Sequence, residues 1–386
     1  MINFAGAEPD EEAGVGDGFD AIPAYPPGPS CRWNPTAESL PNGSIVSIGG
    51  SNVGPFVLNE AKIHVPTYEL IKVNGAPPAP VTLPVLEFTE AENNQPNKSY
   101  NLSSTSLSSK RCGVFTLAGR KAIIWDYELV KLVEQLTDVP LEPRYFPPSA
   151  TSVLLPLEGP NFDATVLLCG ESSGDIPNPQ ALNDWYAIQP NSDKPVWQAD
   201  DNLLNGPQTI SDGILLPDGT VLSINGAHTG SAGGFMADDP GSRFTSMPST
   251  QIPRLCHSVA SLLPSGEVIV AGSNPMVFYT SDGGVLNSWA KFWNYQKEAF
   301  LNQQQKQTSQ YPTEYRVEIF SPPYMDATER PKIVNAPDFL AYGKEFKVKH
   351  TMKGAPPGSS IAQPGVYLLF VVVDGISSEG KRVKLA

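Results

Sequence analysis

Short apolar runs separated by turn residues recur along the chain in one repeated order. In IPRLCHSVASLLPSGEVIVAGSNP, residues 252–275, a Pro-Arg entry and the Cys256–His257 pair precede a small-residue apolar run. A Pro-Ser-Gly turn at 264–266 then feeds a second apolar run that closes on Gly272. Turn residues that adopt backbone angles other residues resist, set between two strand-forming runs, predict a β-hairpin. CRWNPTAESLPNGSIVSIGG, residues 31–50, repeats the order with its turn at 41–43, and SDGILLPDGTVLSINGA repeats it with a turn at 217–219. FDATVLLCGES keeps the strand and the closing glycine but lacks the turn.

Gly219 and Gly266 stand 47 residues apart, close to the repeat of about 50 residues in a kelch-type propeller. A β-sandwich also alternates strands with turns; a recurring Gly-Gly or Gly-Ser after a Pro-x-Gly turn favours the propeller. Between the repeats, CGVFTLAGRKAIIWDYELVKLVEQL predicts strands, with an amphipathic helix over 127–136 as the competing reading. Trp125, Asp126 and Tyr127 are expected to anchor the outer part of a blade. Residues 278–310 break the pattern with a polar, Gln-rich tract behind Trp289, Phe292 and Trp293, and read as an insertion.

From Tyr311 the composition changes, and the paired prolines Pro322 and Pro323 read as a rigid linker. The β-branched run at 366–373 and the Asp-Gly turn after it predict central and adjacent strands of a small sandwich. Residues 1–30 are acidic, then proline-rich, without a sustained period, and are expected to form a disordered arm. The resulting division is an arm at 1–30, a propeller at 31–310 that includes the insertion, and a second domain at 311–386.

At 386 residues and 40% hydrophobic content the chain can bury a sizeable core, and its 39 prolines and 33 glycines suit an all-β fold rich in turns. A net charge of −14 excludes a nucleic-acid partner and disfavours an anionic membrane. No apolar run approaches the roughly 20 residues of a membrane helix. Residues 1–20 lack the basic start and apolar core of a signal peptide. The tripeptides at Asn42, Asn97 and Asn101 would suit a secreted chain. Four scattered cysteines, Cys31, Cys112, Cys169 and Cys256, form neither a CxxC pair nor a recognisable disulfide framework.

The Pro253-Arg254-x-Cys256-His257-Ser258 segment resembles the Pro-Arg-x-Tyr-His-Ser motif of the galactose oxidase and glyoxal oxidase family, the copper radical oxidases. The crossover YPTEY at 311–315 is closer to the glyoxal oxidase branch. The resemblance implies an all-β chain, a kelch propeller followed by a small immunoglobulin-like early-set sandwich. It also implies an extracellular monomer that uses copper and O2 to oxidise small aldehydes or primary alcohols and releases H2O2. Two electrons leave such a substrate while copper cycles one, so the family stores the second on a tyrosine cross-linked to a cysteine.

Carried over residue by residue, His257 matches a metal ligand, Cys256 matches the axial tyrosine, and Asn34 of Arg32-Trp33-Asn34 matches the radical tyrosine. Asparagine cannot hold a phenoxyl radical. The Phe-Cys motif of the cross-linked cysteine has no counterpart; Cys31 matches a different position. His350, with basic neighbours, reads as a solvated strand end rather than the second histidine. Catalytic impairment is therefore expected.

Other readings stay open. A non-enzymatic kelch propeller would bind carbohydrate or protein on its loop face. A Cys256–His257 pair offers thiolate and imidazole donors for Cu(I) or zinc, but neighbours on a strand point to opposite faces unless a bulge intervenes. His257 also reads simply as a hydrogen-bonded blade histidine. A Cys-His hydrolase would need an orienting residue and an oxyanion hole that no motif supplies. His228, in NGAHTGSAGGF, lacks the lysine and the strand-to-helix context of a phosphate loop.

Overall fold

The computed structural model describes residues 32, 35–50, 64–72, 79–86, 105–108, 113–144, 150–170, 172–173, 180–199, 207–229, 250–255, 257–274, 280–281, 284–285, 313–348 and 351–386. The arm at 1–30 and most of the Gln-rich tract lie outside them. Strands account for nearly all the regular structure. β1 (Thr36–Ser39), β2 (Ile45–Ile48), β3 (Thr67–Ile71) and β4 (Val81–Thr82) form one antiparallel meander, and β5 (Thr105–Ser108), β6 (Gly113–Ala118), β7 (Lys121–Asp126) and β8 (Lys131–Gln135) form a second. The third sheet joins β9 (Thr151–Leu154) and β10 (Val166–Cys169) to β13 (Trp185–Ile188) and β14 (Gln198–Ala199), with the small hairpin β11 (Ser172–Ser173) and β12 (Gln180–Ala181) between them in sequence.

The two-residue period of a strand explains how these sheets stack. Val114, Ala118, Ile123 and Trp125 of the second sheet pack on Val46, Ile48 and Tyr68 of the first. Their alternates Phe115, Leu117, Ala122 and Ile124 pack on Val166, Leu168 and Ile188 of the third. Leu167 and Cys169 then face the opposite way with Trp185, towards Val221 of the next sheet. A middle strand buried on both faces reads as a continuous apolar run, as GVFTLA and VLLC do. Sheets stacked in this way are the blades of a β-propeller. The outer strand β8 is exposed throughout.

The fourth sheet pairs β15 (Asp212–Leu215) with β16 (Val221–Ile224), and the fifth pairs β17 (Val259–Leu262), β18 (Val268–Ala271) and β21 (Val317–Phe320). A short hairpin of β19 (Thr280–Ser281) and β20 (Gly284–Val285) falls between β18 and β21 in sequence. Leu216 and Leu222 pack against Val268, Val270 and Tyr324.

The stretch 127–136 is turn and strand, the favoured reading, and not the competing helix. Trp125, on the third of its sheet's four strands, and Tyr127 pack between two blades. Other expectations change in detail. FDATVLLCGES supplies β10, and the hairpin that joins β9 to β10 does have a turn, a longer one ahead of it in which the Phe162 amide donates to the Glu158 carbonyl. The crossover expected at Tyr311 comes later, because β21 still belongs to the sheet of β18.

Beyond a 3-10 turn at Pro323–Asp326, β22 (Phe339–Leu340), β23 (Glu345–Val348), β24 (Thr351–Gly354), β25 (Gly365–Leu369), β26 (Val372–Val373), β27 (Ile376–Ser377) and β28 (Lys381–Leu385) build the second domain around Leu340, Ala355, Val383 and Leu385. The run at 366–373 is not a central strand. It divides into β25, which flanks the central β28, and β26, which pairs with β27 across Asp374 and Gly375. Both turn residues have positive φ, 51° and 77°, as a type I′ hairpin requires. Val366 is 70% exposed.

The second domain is fastened to the propeller at the 264–266 turn. Arg330 donates to the carbonyls of Ser265, Ser377 and Ser378, the Tyr324 hydroxyl donates to Gly266, and the Gly380 amide donates to Pro264. A Cβ on Gly266 would lie 2.9 Å from Nη2 of Arg330, so only glycine leaves room for this clamp.

Candidate functional site

His257 lies at the start of β17, at the end of the hairpin opposite the 264–266 turn. The local chain folds tightly: the amide and hydroxyl of Ser258 both donate to the Leu255 carbonyl, at 3.2 and 2.7 Å. His257 itself adopts φ +62° and is exposed. Such a backbone is costly for a residue with a Cβ and persists only where its surroundings impose it.

The surroundings are built around Arg254, which has no solvent exposure. Its Nε donates to Glu318 at 3.0 Å, its Nη1 to the Gly272 carbonyl at 2.7 Å and its Nη2 to the Arg316 carbonyl at 3.0 Å. Gly272 passes close under the histidine: a Cβ there would stand 3.1 Å from the His257 carbonyl oxygen. The next residue, Ser273, accepts the Leu255 amide through Oγ at 2.9 Å. After it, the backbone carbonyl of Asn274 lies 2.9 Å from Nδ1 of His257.

A carbonyl oxygen only accepts, so Nδ1 carries a proton, and in the neutral ring the lone pair is then on Nε2. That is the tautomer a metal-binding imidazole needs when it ligates through Nε2. Asn274 is in turn held by Thr313, whose Oγ1 donates to its Oδ1 at 3.0 Å.

The first blade contains the same latch. Arg32 donates to the Gly49 carbonyl at 2.7 Å, to the Thr67 carbonyl at 2.9 Å and to Glu69 at 3.1 Å. In both of these blades an arginine before the first strand reaches the glycine that follows the second strand and an acid on the third. The third blade keeps the buried pair, Arg144 with Asp184 at 2.6 Å. The arginines of the two matched motifs thus have a structural task, holding the loop that follows them.

Of the positions expected to carry chemistry, Asn34, Cys256 and His350 lie outside the described residues. His228 is half-buried, and its carbonyl accepts the Ala181 amide, a backbone role. Burial pushes the Cys169 thiol up to about 12, so it is an inert core residue rather than a nucleophile. Among the described residues no group of three or more His, Cys, Asp or Glu is arranged to hold a metal ion, and no helix is long and apolar enough to cross a membrane. Ser273, Asn274, Thr313 and Glu318 were not among the expected site residues. A sequence signal for two of them exists: Gly272-Ser273-Asn274 repeats the Gly50-Ser51-Asn52 that closes the first hairpin.

The model of the glyoxal oxidase N-terminus matches residues 29–288, most of the chain. The chain belongs to the glyoxal oxidase family. The galactose oxidase-like early set domain matches residues 350–385, the β-sandwich that follows the propeller. The chain is 28% identical over 92% of its length to the aldehyde oxidase GLOX of Vitis pseudoreticulata, spanning 72% of that protein. It is 27% identical over 92% of its length to the aldehyde oxidase GLOX1 of Arabidopsis thaliana, spanning 63% of it. A fungal alcohol oxidase of the AA5 family, solved in complex with copper, superposes with a TM-score of 0.49 at 12% identity, covering 92% of this chain and 86% of that one.

Proposed function

We propose that this chain is a copper radical oxidase by descent, of the kind that oxidises small aldehydes or primary alcohols with O2 and releases H2O2, and that its turnover is impaired. The observation that carries the reading is the His257 imidazole, exposed and held with its lone pair on Nε2 by the Asn274 carbonyl.

The fit to copper is partial. His257 supplies one suitable donor, and Cys256 follows Arg254 by two residues where the family motif has tyrosine. The described residues by themselves do not complete a donor set, so no chemical step is derived through the metal. Kelch-type blades, an extracellular location and a monomeric state belong to this reading.

The test is peroxide release by copper-loaded protein against a panel of small aldehydes and primary alcohols, with copper content measured on the same sample. Some retained copper with peroxide formation far below that of an active family member is the expected result. Rapid O2-dependent peroxide release would overturn impairment. No retained copper would overturn the metal reading and favour a propeller that binds carbohydrate or protein.

A further inference from the structure

We propose that Asn274 and Thr313 are positioning residues for His257: they fix its tautomer and ring orientation without touching metal or substrate. This rests on the reading of His257 as a metal ligand for its purpose, though not for its geometry. The Nδ1–H donates to the Asn274 carbonyl at 2.9 Å. A carbonyl on a free loop would swing with the loop and release the ring. Asn274 is not on a free loop: it is 8% exposed, and its side chain is tied across 39 residues of sequence to Thr313.

The two neighbouring residues are tied to each other as well, since the Glu314 amide donates to the Ser273 carbonyl at 2.8 Å. On the other side, Ser273 Oγ takes the Leu255 amide at the start of the turn that carries His257. The imidazole and its acceptor are therefore fixed to one frame, with Arg254 bonded to both Gly272 and Glu318 beneath it. Partners in this outer position around metal-binding histidines set ring orientation, and losing one typically weakens metal binding by about 10- to 100-fold.

The test reads the ring directly in metal-free protein. Nitrogen-15 NMR of labelled protein at about pH 8.5, where an ordinary imidazole is neutral, reports which nitrogen carries the proton; a His257→Ala sample assigns the signal, and His228 serves as an internal control. Native His257 is expected as the Nδ1–H form alone. Asn274→Ala and Thr313→Val, each shown to be folded by near-UV circular dichroism, are expected to move His257 towards the Nε2–H form that free histidine prefers, with His228 unmoved.

In a second arm, each variant is titrated with Cu(II) alone, and about a tenfold loss of affinity is expected. A native Nε2–H signal, or an Nδ1–H signal unchanged in both folded variants, overturns the positioning roles. A native Nδ1–H signal that both variants disturb, in a protein that binds no copper, supports the positioning and overturns the metal reading, so the two ideas fail separately.

Discussion

The guanidinium of Arg254 lies 3.0 Å from the carboxylate of Glu318, with the arginine fully buried and the glutamate the partner that reaches solvent. The pair joins the loop before β17 to the third strand of the same sheet. Removing one member leaves the other without its partner, and the arginine additionally fixes two carbonyls. Arg254→Leu is expected to destabilise the propeller by about 3–5 kcal/mol, and Glu318→Gln by less, because glutamine keeps an oxygen to accept from the guanidinium and the bonds of Arg254 to the Gly272 and Arg316 carbonyls remain. Chemical denaturation measures both, and equal effects of the two substitutions would contradict the asymmetry.

The innermost strands β1 and β15 carry Glu38 and Asp212. Burial is the main cause that pushes Glu38 up to about 7 and Asp212 up to about 6; the Asn225 amide, which donates to Asp212 at 2.7 Å, opposes the shift. The folded protein holds these protons more tightly than the unfolded chain does. Their contribution to stability is thus complete below the ordinary carboxylate range and is lost as pH rises through about 6 for Asp212 and about 7 for Glu38. Glu38→Gln and Asp212→Asn are each expected to flatten this slope and to raise stability near pH 7.5 by on the order of 1 kcal/mol, allowing for partial solvent screening. Melting temperatures measured from about pH 4 to about pH 8 check it; parallel curves for wild type and variants would refute it.

Leu168 is 1% exposed between the second and third blades, whereas Leu132 on the outer strand β8 is 37% exposed. Leu168→Ala is expected to cost about 2–5 kcal/mol and Leu132→Ala less than about 0.5 kcal/mol. Urea unfolding of the two variants side by side tests the radial stacking of the sheets, and comparable losses would argue against it.

The clamp on the 264–266 turn makes a different kind of prediction. Arg330→Ala removes three hydrogen bonds to carbonyls, and Gly266→Ala places a methyl against Arg330 at φ +92°. Each is expected to weaken docking of the second domain by about 1–3 kcal/mol. Differential scanning calorimetry should split the unfolding into two transitions, and proteolysis should become faster between Ala327 and Asp338. A single unchanged transition in both variants would show that the clamp does not hold the domains together.

Much of this fold is legible in the chain because its turns are chemically local. Pro-Asn-Gly, Pro-Asp-Gly and Pro-Ser-Gly each mark a hairpin that the structure contains, with Gly43, Gly219 and Gly266 at positive φ. The longer turn before β10 was not legible, since nothing between Leu155 and Thr165 names a two-residue hairpin. The position of β25 could not be read either: GVYLLF looks interior by composition, but among the described residues β25 pairs with β28 alone and so stands at the margin of its sheet. At the site, the histidine stands out because its neighbours repeat a motif. Its acceptor is harder to read: the Gly-Ser-Asn tripeptide around it repeats one in the first blade, but a backbone carbonyl leaves no trace in residue identity, so the repeat does not reveal which atom meets the imidazole.

The fifth blade has its histidine at one end and its fastening to the second domain at the other. Four-residue strands separate them, roughly 13 Å of chain at the usual rise per residue. One hairpin thus carries two unlike duties, an anchorage for the neighbouring domain at its turn and an imidazole at its open end, and a substitution in β17 or β18 touches both.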